Sequence, residues 1–166
     1  MSEPDGVPSL HGRARLSNPV HFLALGFGTG LAPKAPGTVG TLAGLPVYAL
    51  LLPLPLWGYL LATLVAIVAG IWICDRAARD FGVHDHPAIV WDEVAGFLVT
   101  MILAPVGLVW VVLGFLLFRV FDVLKPWPIG WLDRRVGGGF GIMVDDILAG
   151  VYAAVCLQVI VLVTGA

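Results

Sequence analysis

The chain alternates long apolar blocks with short polar breaks, and the breaks carry nearly all of its charge. Asn18-Pro19 opens the first block, which runs to Phe27, with Asn18 placed as a helix N-cap and Pro19 as the first helical residue. That block is too short to span a bilayer and predicts an interfacial or re-entrant helix. Gly26, Gly28, Gly30, Gly37, Gly40 and Gly44 follow, with Pro33, Lys34, Pro36, Thr38 and Thr41 among them. Such a density predicts a loop that feeds a helix. From Thr38 the apolar pattern runs to Leu56, interrupted at Pro46, Pro53 and Pro55, and resumes from Trp57 to Cys74. This predicts two spans joined by an uncharged Leu-Pro-Leu-Pro turn. Asp75, Arg76, Arg79, Asp80, His84, Asp85 and His86 then make a charged connection that Pro87 ends.

The block from 88 to 123 decides the topology. One span over 94–118 puts Asp92-Glu93 and Asp122 on opposite sides of a membrane, whereas a break at Ala104-Pro105-Val106-Gly107 returns both to the same side. Residues 88–104 and 105–125 each approach the ~20 residues that a bilayer requires. The break also collects the uncharged turns and the C-terminus on one face and leaves every Lys, Arg, Asp and Glu on the other. The positive-inside rule makes that other face cytoplasmic. Beyond Lys125, a Pro-Trp-Pro segment and the amphipathic stretch 129–136 suit the interface, with Trp127 and Trp131 at headgroup depth. Gly137-Gly138-Gly139 breaks this stretch, and 141–163 forms the last span. The pattern predicts an all-α, polytopic membrane helical bundle of about five spans plus a short N-terminal interfacial or re-entrant helix. A flexible cytoplasmic tail over 1–16 precedes it.

Composition agrees with the pattern. Hydrophobic residues make up 59% of the chain and charged residues 12%, and the mean hydropathy is +0.97, outside the range of soluble domains. A net charge of -2 without a basic tract carries no nucleic-acid signature, and no nucleic-acid partner is expected. Cys74 and Cys156 lie inside apolar runs without metal-type spacing and read as buried small hydrophobes. The N-terminus lacks the basic-then-apolar order of a cleaved signal, so the first membrane segment is expected to be retained.

Two acidic pairs open apolar runs, Asp92-Glu93 and Asp145-Asp146. Asp92 to Gly96 and Asp146 to Gly150 each read Asp-x-x-Ala-Gly, which on a helix sets carboxylate and glycine on one face about a turn apart. With Asp122 these carboxylates lie at or near cytoplasmic span ends, where charge is costly unless paired or hydrated. A hard cation such as Mg²⁺ would hold them ionised together; alternatively, the pairs flank helix N-termini and favour the macrodipole. Asp122 stands three residues after Arg119 and three before Lys125, so it is either half of a helix ion pair or a ligand beside two phosphate-clamping cations. Lys125, on a stiff segment at headgroup depth, suits a lipid phosphate. His84-Asp85-His86 reads either as a hydrated loop or as a metal site or general acid/base. The glycine-rich turn either offers free N–H groups to an anion or serves as a packing turn, and it matches neither the P-loop nor the dinucleotide fingerprint. Asp75, Arg76, Arg79 and Asp80 read as a solvated helix end, and Asp133, Arg134 and Arg135 suit a patch for anionic lipid. The chain has no Cys-x5-Arg, Asp-x-Asp or Gly-x-Ser-x-Gly and lacks the Arg/His blocks of the histidine-dependent lipid phosphatases, which leaves metal-assisted attack by water.

Asn18-Pro19, Gly26-Phe27-Gly28-Thr29-Gly30-Leu31, Pro36-Gly37-Thr38, Val83-His84-Asp85-His86 and Val90-Trp91-Asp92-Glu93 occur in that order. Phe118-Arg119-Val120-Phe121-Asp122, Lys125-Pro126-Trp127-Pro128-Ile129 and Gly141-Ile142-Met143-Val144-Asp145-Asp146-Ile147 follow. Together, over about residues 17–150, they resemble the phosphatidylglycerophosphatase A family of bacterial inner-membrane enzymes. Gly137 departs from the pattern, which has a polar residue there. The resemblance implies one membrane-embedded phosphatase domain over 17–166, with the active site on the cytoplasmic side. It implies a Mg²⁺-dependent enzyme that removes the terminal phosphate of phosphatidylglycerophosphate, giving phosphatidylglycerol and phosphate. On this resemblance Asp92, Glu93, Asp122, Asp145 and Asp146 are candidate Mg²⁺ ligands, and Asp92, Glu93, Asp122 and Asp146 the catalytic carboxylates. His86 or His84 would protonate the leaving oxygen, and Lys125, Arg119, Lys34, Thr38 and Asn18 would bind phosphate. The competing readings are a phosphatase for another lipid phosphate and a non-catalytic ion-pathway or scaffold protein whose Ala-Gly faces are interhelical contacts.

Overall fold

The computed structural model describes residue 10, residues 13–83 and residues 85–165, and all regular structure among them is helical. His84 lies outside the described residues. Asn18 Oδ1 accepts the Val20 N–H at 2.9 Å and Pro19 opens α1 (Pro19–Ala24), as the Asn-Pro step predicts. A kinked 3-10 turn, Gly26–Leu31, follows. It feeds α2 (Pro36–Leu51), so the glycine-rich stretch is a loop leading into a helix. Pro46 lies inside α2 instead of interrupting it. It is exposed; its nitrogen cannot donate the helical hydrogen bond, and its ring crowds the carbonyl one turn back, at residue 42.

The uncharged turn at 52–55 separates α2 from α3 (Leu56–Phe81). α3 continues through the charged residues because they pair along it: Arg79 Nη2 lies 2.7 Å from Asp75 Oδ2 and Arg76 Nε 3.3 Å from Asp80 Oδ2, both at i,i+4. Gly82, left-handed at φ 71°, ends the helix. The charged connection is therefore mostly helix. Leu10 and Ala14, within the expected tail, pack on the core at this end of α3, and Arg13 Nη1 donates to the Phe81 carbonyl at 2.5 Å.

The expected break at 104–107 separates α4 (Trp91–Thr100) from α5 (Leu108–Leu124). Its first half differs from expectation, since 88–104 is not one continuous helix. α4 has ten residues, about 15 Å of rise against a hydrocarbon core of ~30 Å. All of them except Glu93 are buried, so α4 meets protein instead of lipid. An apolar run looks the same in either setting. The short α6 (Ile129–Asp133) and the long α7 (Gly138–Thr164) complete the chain. Among the described residues, α3 and α7 are the two helices that are by themselves long and apolar enough to cross a membrane. Leu50, Trp57, Leu108 and Val163 are largely exposed on the outside of the bundle, which suits lipid contact.

Contacts between helices set their directions. Gly37, Gly40 and Gly44 of α2 meet Glu93, Val90 and Phe97 in turn, so α2 and α4 run parallel. α3 runs opposite to α4: Trp91 Nε1 donates to the Ala66 carbonyl at 3.0 Å and Tyr59 Oη to the Leu98 carbonyl at 2.7 Å. α5 is likewise reversed, with Gly114 against Thr100 and Phe118 against Gly96. The starts of α2, α4 and α7 thus share one end of the bundle with the finishes of α3 and α5. That end holds the charged residues, and the uncharged turns at 52–55 and 104–107 lie at the other.

Candidate active site

α4 and α7 meet where the two Asp-x-x-Ala-Gly segments pass each other. A Cβ on Gly150 would strike the Gly96 carbonyl oxygen, and one on Gly96 would lie 2.7 Å from the Asp146 carbonyl oxygen and 2.6 Å from Phe118 Cε2. Glycine at both positions is what lets the backbones come this close. Thr100 Oγ1 sits on the same seam, donating to the Gly96 carbonyl at 3.0 Å and lying 3.5 Å from that of Gly150. The helices are parallel and the segments in register, so Asp92 and Asp146 each project one turn before the contact, on the same side.

One carboxylate oxygen from each of Asp92, Glu93 and Asp146 lies within 4.8 Å of the other two. Asp92 and Asp146 are buried and Glu93 is half-buried. Asp92 Oδ1 and Glu93 Oε2 are buried atoms without a hydrogen-bond partner. Unpartnered carboxylate oxygens are expensive in a protein interior. Hard oxygen donors grouped this closely fit a divalent cation of the Mg²⁺ class, which would satisfy them.

Arg119 flanks this group. Its Nη1 pairs with Asp122 Oδ2, the ion pair that the Arg-x-x-Asp spacing allows, and lies 3.5 Å from Thr41 Oγ1 of α2. Asp122 in turn lies close to Asp146. Arg119 Nε is buried without a partner, so the guanidinium keeps a free donor beside the carboxylates. Gly37 makes room for this arrangement: a Cβ there would collide with Glu93 Oε1 and lie 3.3 Å from Arg119 Nη1. Neither Gly37 nor Thr41 stood out as a site residue in the sequence. The signal was their i,i+4 spacing on α2, where Thr41 Oγ1 donates to the Gly37 carbonyl.

Lys125 takes a different position from the one its spacing with Asp122 suggests. Its Nζ lies 2.6 Å from Asp145 Oδ2 and 2.7 Å from Asp133 Oδ1. Burial works against this charge, but the hydrogen bonds that Lys125 donates to Asp133 and Asp145 outweigh it and hold the ammonium pKa above its ordinary value. Successive helical residues point about 100° apart; Asp146 therefore turns toward Asp92 while Asp145 turns toward Lys125. Asp145 Oδ1 is buried and unpartnered. His86 is buried against Phe81, ring centroids 6.2 Å apart, with Nδ1 accepting the Ala88 N–H at 3.1 Å. Asn18 serves as the cap of α1, Lys34 is exposed in the turn before α2, and Thr38 is half-buried in the first turn of α2. Asp75, read as part of a solvated end, also accepts the Gly139 N–H at 3.2 Å and caps α7 in place of Gly137, which has no side chain to do so.

Fold and site define a membrane-associated helical protein with a buried acidic centre beside an arginine. The chain belongs to the phosphatidylglycerophosphatase A family, whose model matches residues 22–161, and it is a phosphatase. It is 50% identical over 143 residues to the phosphatidylglycerophosphatase A of Escherichia coli strain K12, covering 86% of this chain and 83% of the relative. To that of Haemophilus influenzae it is 45% identical over 142 residues, covering 84% and 87%. A Bacteroides thetaiotaomicron relative, 35% identical over 146 residues and covering 83% and 91%, is provisionally named a phosphatidylinositol-3-phosphatase. No solved structure matches the chain.

Proposed function

We propose that this phosphatase hydrolyses the terminal phosphate of phosphatidylglycerophosphate in a Mg²⁺-dependent reaction at the cytoplasmic face of a bacterial inner membrane. In this reading α2, α3, α5 and α7 lie across the bilayer around α4, and the charged end faces the cytoplasm. The observation that carries the chemistry is the convergence of Asp92, Glu93 and Asp146 with unpartnered buried oxygens beside Arg119. The names of the two relatives that are 45–50% identical support the substrate.

Asp92, Glu93 and Asp146 would hold Mg²⁺, with Asp122 behind them. When bound, the ion supplies positive charge against the phosphoryl group and makes water easier to deprotonate. The residues of the chain perform the other tasks. A water oxygen attacks phosphorus, the bond from phosphorus to the glycerol oxygen breaks, and the water gives up a proton. Glu93, the half-buried member of the group, is the acceptor for that proton. Arg119 offsets charge on the phosphoryl oxygens through its free Nε–H. Lys34, exposed before α2, draws the anionic headgroup toward the rim with the Thr38 helix start assisting, and Lys125 would meet it by exchanging Asp133 or Asp145 for a phosphate oxygen. The leaving oxygen takes up one proton, for which His86 is the candidate donor through Nε2, since Nδ1 accepts from Ala88; His84 is its alternative.

A second reading, a different lipid phosphate as substrate, draws on the Bacteroides relative. Phosphate release from purified protein separates the two. Release from phosphatidylglycerophosphate that exceeds release from phosphatidic acid and phosphatidylinositol 3-phosphate, and that stops with chelator and returns with Mg²⁺, is the expected result. Chelator-resistant release would overturn the metal assignment, and preference for another lipid would overturn the substrate.

A further inference from the structure

The stretch from Val123 to Phe140 leaves an apolar and cationic surface at the charged end of the bundle. Trp127 is 81% exposed and Trp131 43%, and Val123, Leu124 and Phe140 are exposed beside them. This surface is rooted: Ile129 is fully buried, and Tyr152 Oη donates to the Trp127 carbonyl at 3.3 Å. Arg134 and Arg135 are exposed in the turn that follows α6 (Ile129–Asp133). The Arg135 guanidinium stacks on the Trp131 ring, 5.1 Å from its centroid. Asp133, the acidic neighbour, is taken up by Lys125. Among the described residues no carboxylate lies within ion-pair distance of Arg134 or Arg135. Two uncompensated cations therefore flank two exposed indoles.

We infer that α6 and its flanks form a docking surface for anionic phospholipid headgroups, with Arg134 and Arg135 meeting the lipid charge and Trp127 and Trp131 seated at the acyl boundary. Charge complementarity selects this occupant. A zwitterionic headgroup gives the arginines no net charge to meet, whereas the indoles accept either lipid. Each arginine held near an anionic surface strengthens binding about fivefold. The same helix carries Asp133, so the lipid-facing surface is joined through Lys125 to Asp145 at the rim of the site. This inference rests on membrane association and is independent of the substrate and metal assignments.

The test places the full chain in phosphatidylcholine nanodiscs that contain a minority of lipid brominated near the headgroup, either phosphatidylserine or phosphatidylcholine. Phosphatidylserine is anionic without being the product of the proposed reaction. Tryptophan quenching that disappears in Trp131→Phe isolates that indole. The expected result is several-fold stronger Trp131 quenching by brominated phosphatidylserine than by brominated phosphatidylcholine, with the preference lost in Arg134→Gln/Arg135→Gln. That double variant keeps its phosphatase activity in pure phosphatidylcholine, which shows that it is folded. Equal quenching by both lipids in the unmodified chain, or a preference that survives the double substitution, overturns the inference.

Discussion

The contact between α4 and α7 can be tested by a single methyl group. In Gly96→Ala the new Cβ would lie 2.6 Å from Phe118 Cε2 and 2.7 Å from the Asp146 carbonyl oxygen, where ordinary contact begins at 3.4 Å. The Phe118 ring is fully buried and the other partner is backbone, so neither yields freely. To relieve the overlap the helices must part by roughly 0.7 Å, at an overpacking cost of about 1–3 kcal/mol. Alanine is the better helix former by about 0.5–1 kcal/mol, so any loss is steric and not one of propensity. The separation acts one turn from Asp92 and Asp146, and a misplacement approaching 1 Å in a catalytic group costs on the order of 100-fold. The expected outcome is phosphate release reduced between about 10-fold and 100-fold in a protein that still unfolds cooperatively at lower temperature. Gly58→Ala is the control, because its Cβ would meet side chains no closer than 3.4 Å. If Gly96→Ala retained activity within about twofold of the unmodified protein, a gap too small for such a displacement, the link from this contact to the carboxylates would be wrong.

Other substitutions probe single contacts. Arg119→Lys keeps the charge but loses the fork that reaches Asp122 and Thr41, and kcat/KM is expected to fall at least about 10-fold. Asp75→Ala removes the cap of α7, costing about 1 kcal/mol in thermal unfolding while kcat stays near that of the unmodified protein. The Lys125 bridge has a pH signature. Its folded pKa is raised, so its stabilisation is complete below the ordinary lysine value of about 10.4 and is lost only as pH rises through the higher folded value. Thermal unfolding from neutral pH to about 9 should show no step that Lys125→Met removes.

The repeated Asp-x-x-Ala-Gly made the core of the candidate site legible, because a helix turns that spacing into one face and small residues mark where helices touch. Asn18-Pro19 and the Leu-Pro-Leu-Pro turn were legible for equally local reasons, a cap and a chain that cannot stay helical. Features that depend on tertiary position were not. The apolar residues of α4 gave no sign that they face protein instead of lipid. Pro46 could not be distinguished from a break, because an exposed proline is tolerated where a buried one is not. Asp145 and Asp146 looked equivalent as neighbours in sequence, and the helical twist sends one to Lys125 and the other to Asp92. The cap that Asp75 supplies to α7 joins residues 64 positions apart, beyond any local pattern.

The central claim is that Asp92, Glu93 and Asp146 together hold one kind of hard divalent cation. Titration of the purified protein with Mn²⁺ as a paramagnetic stand-in for Mg²⁺, followed by electron paramagnetic resonance, measures this without reference to turnover. The account predicts saturable binding that Mg²⁺ displaces, that Asp146→Asn abolishes or weakens at least about 10-fold, and that Asp75→Asn leaves unchanged. Mn²⁺ binding by Asp146→Asn equal to that of the unmodified chain would contradict it.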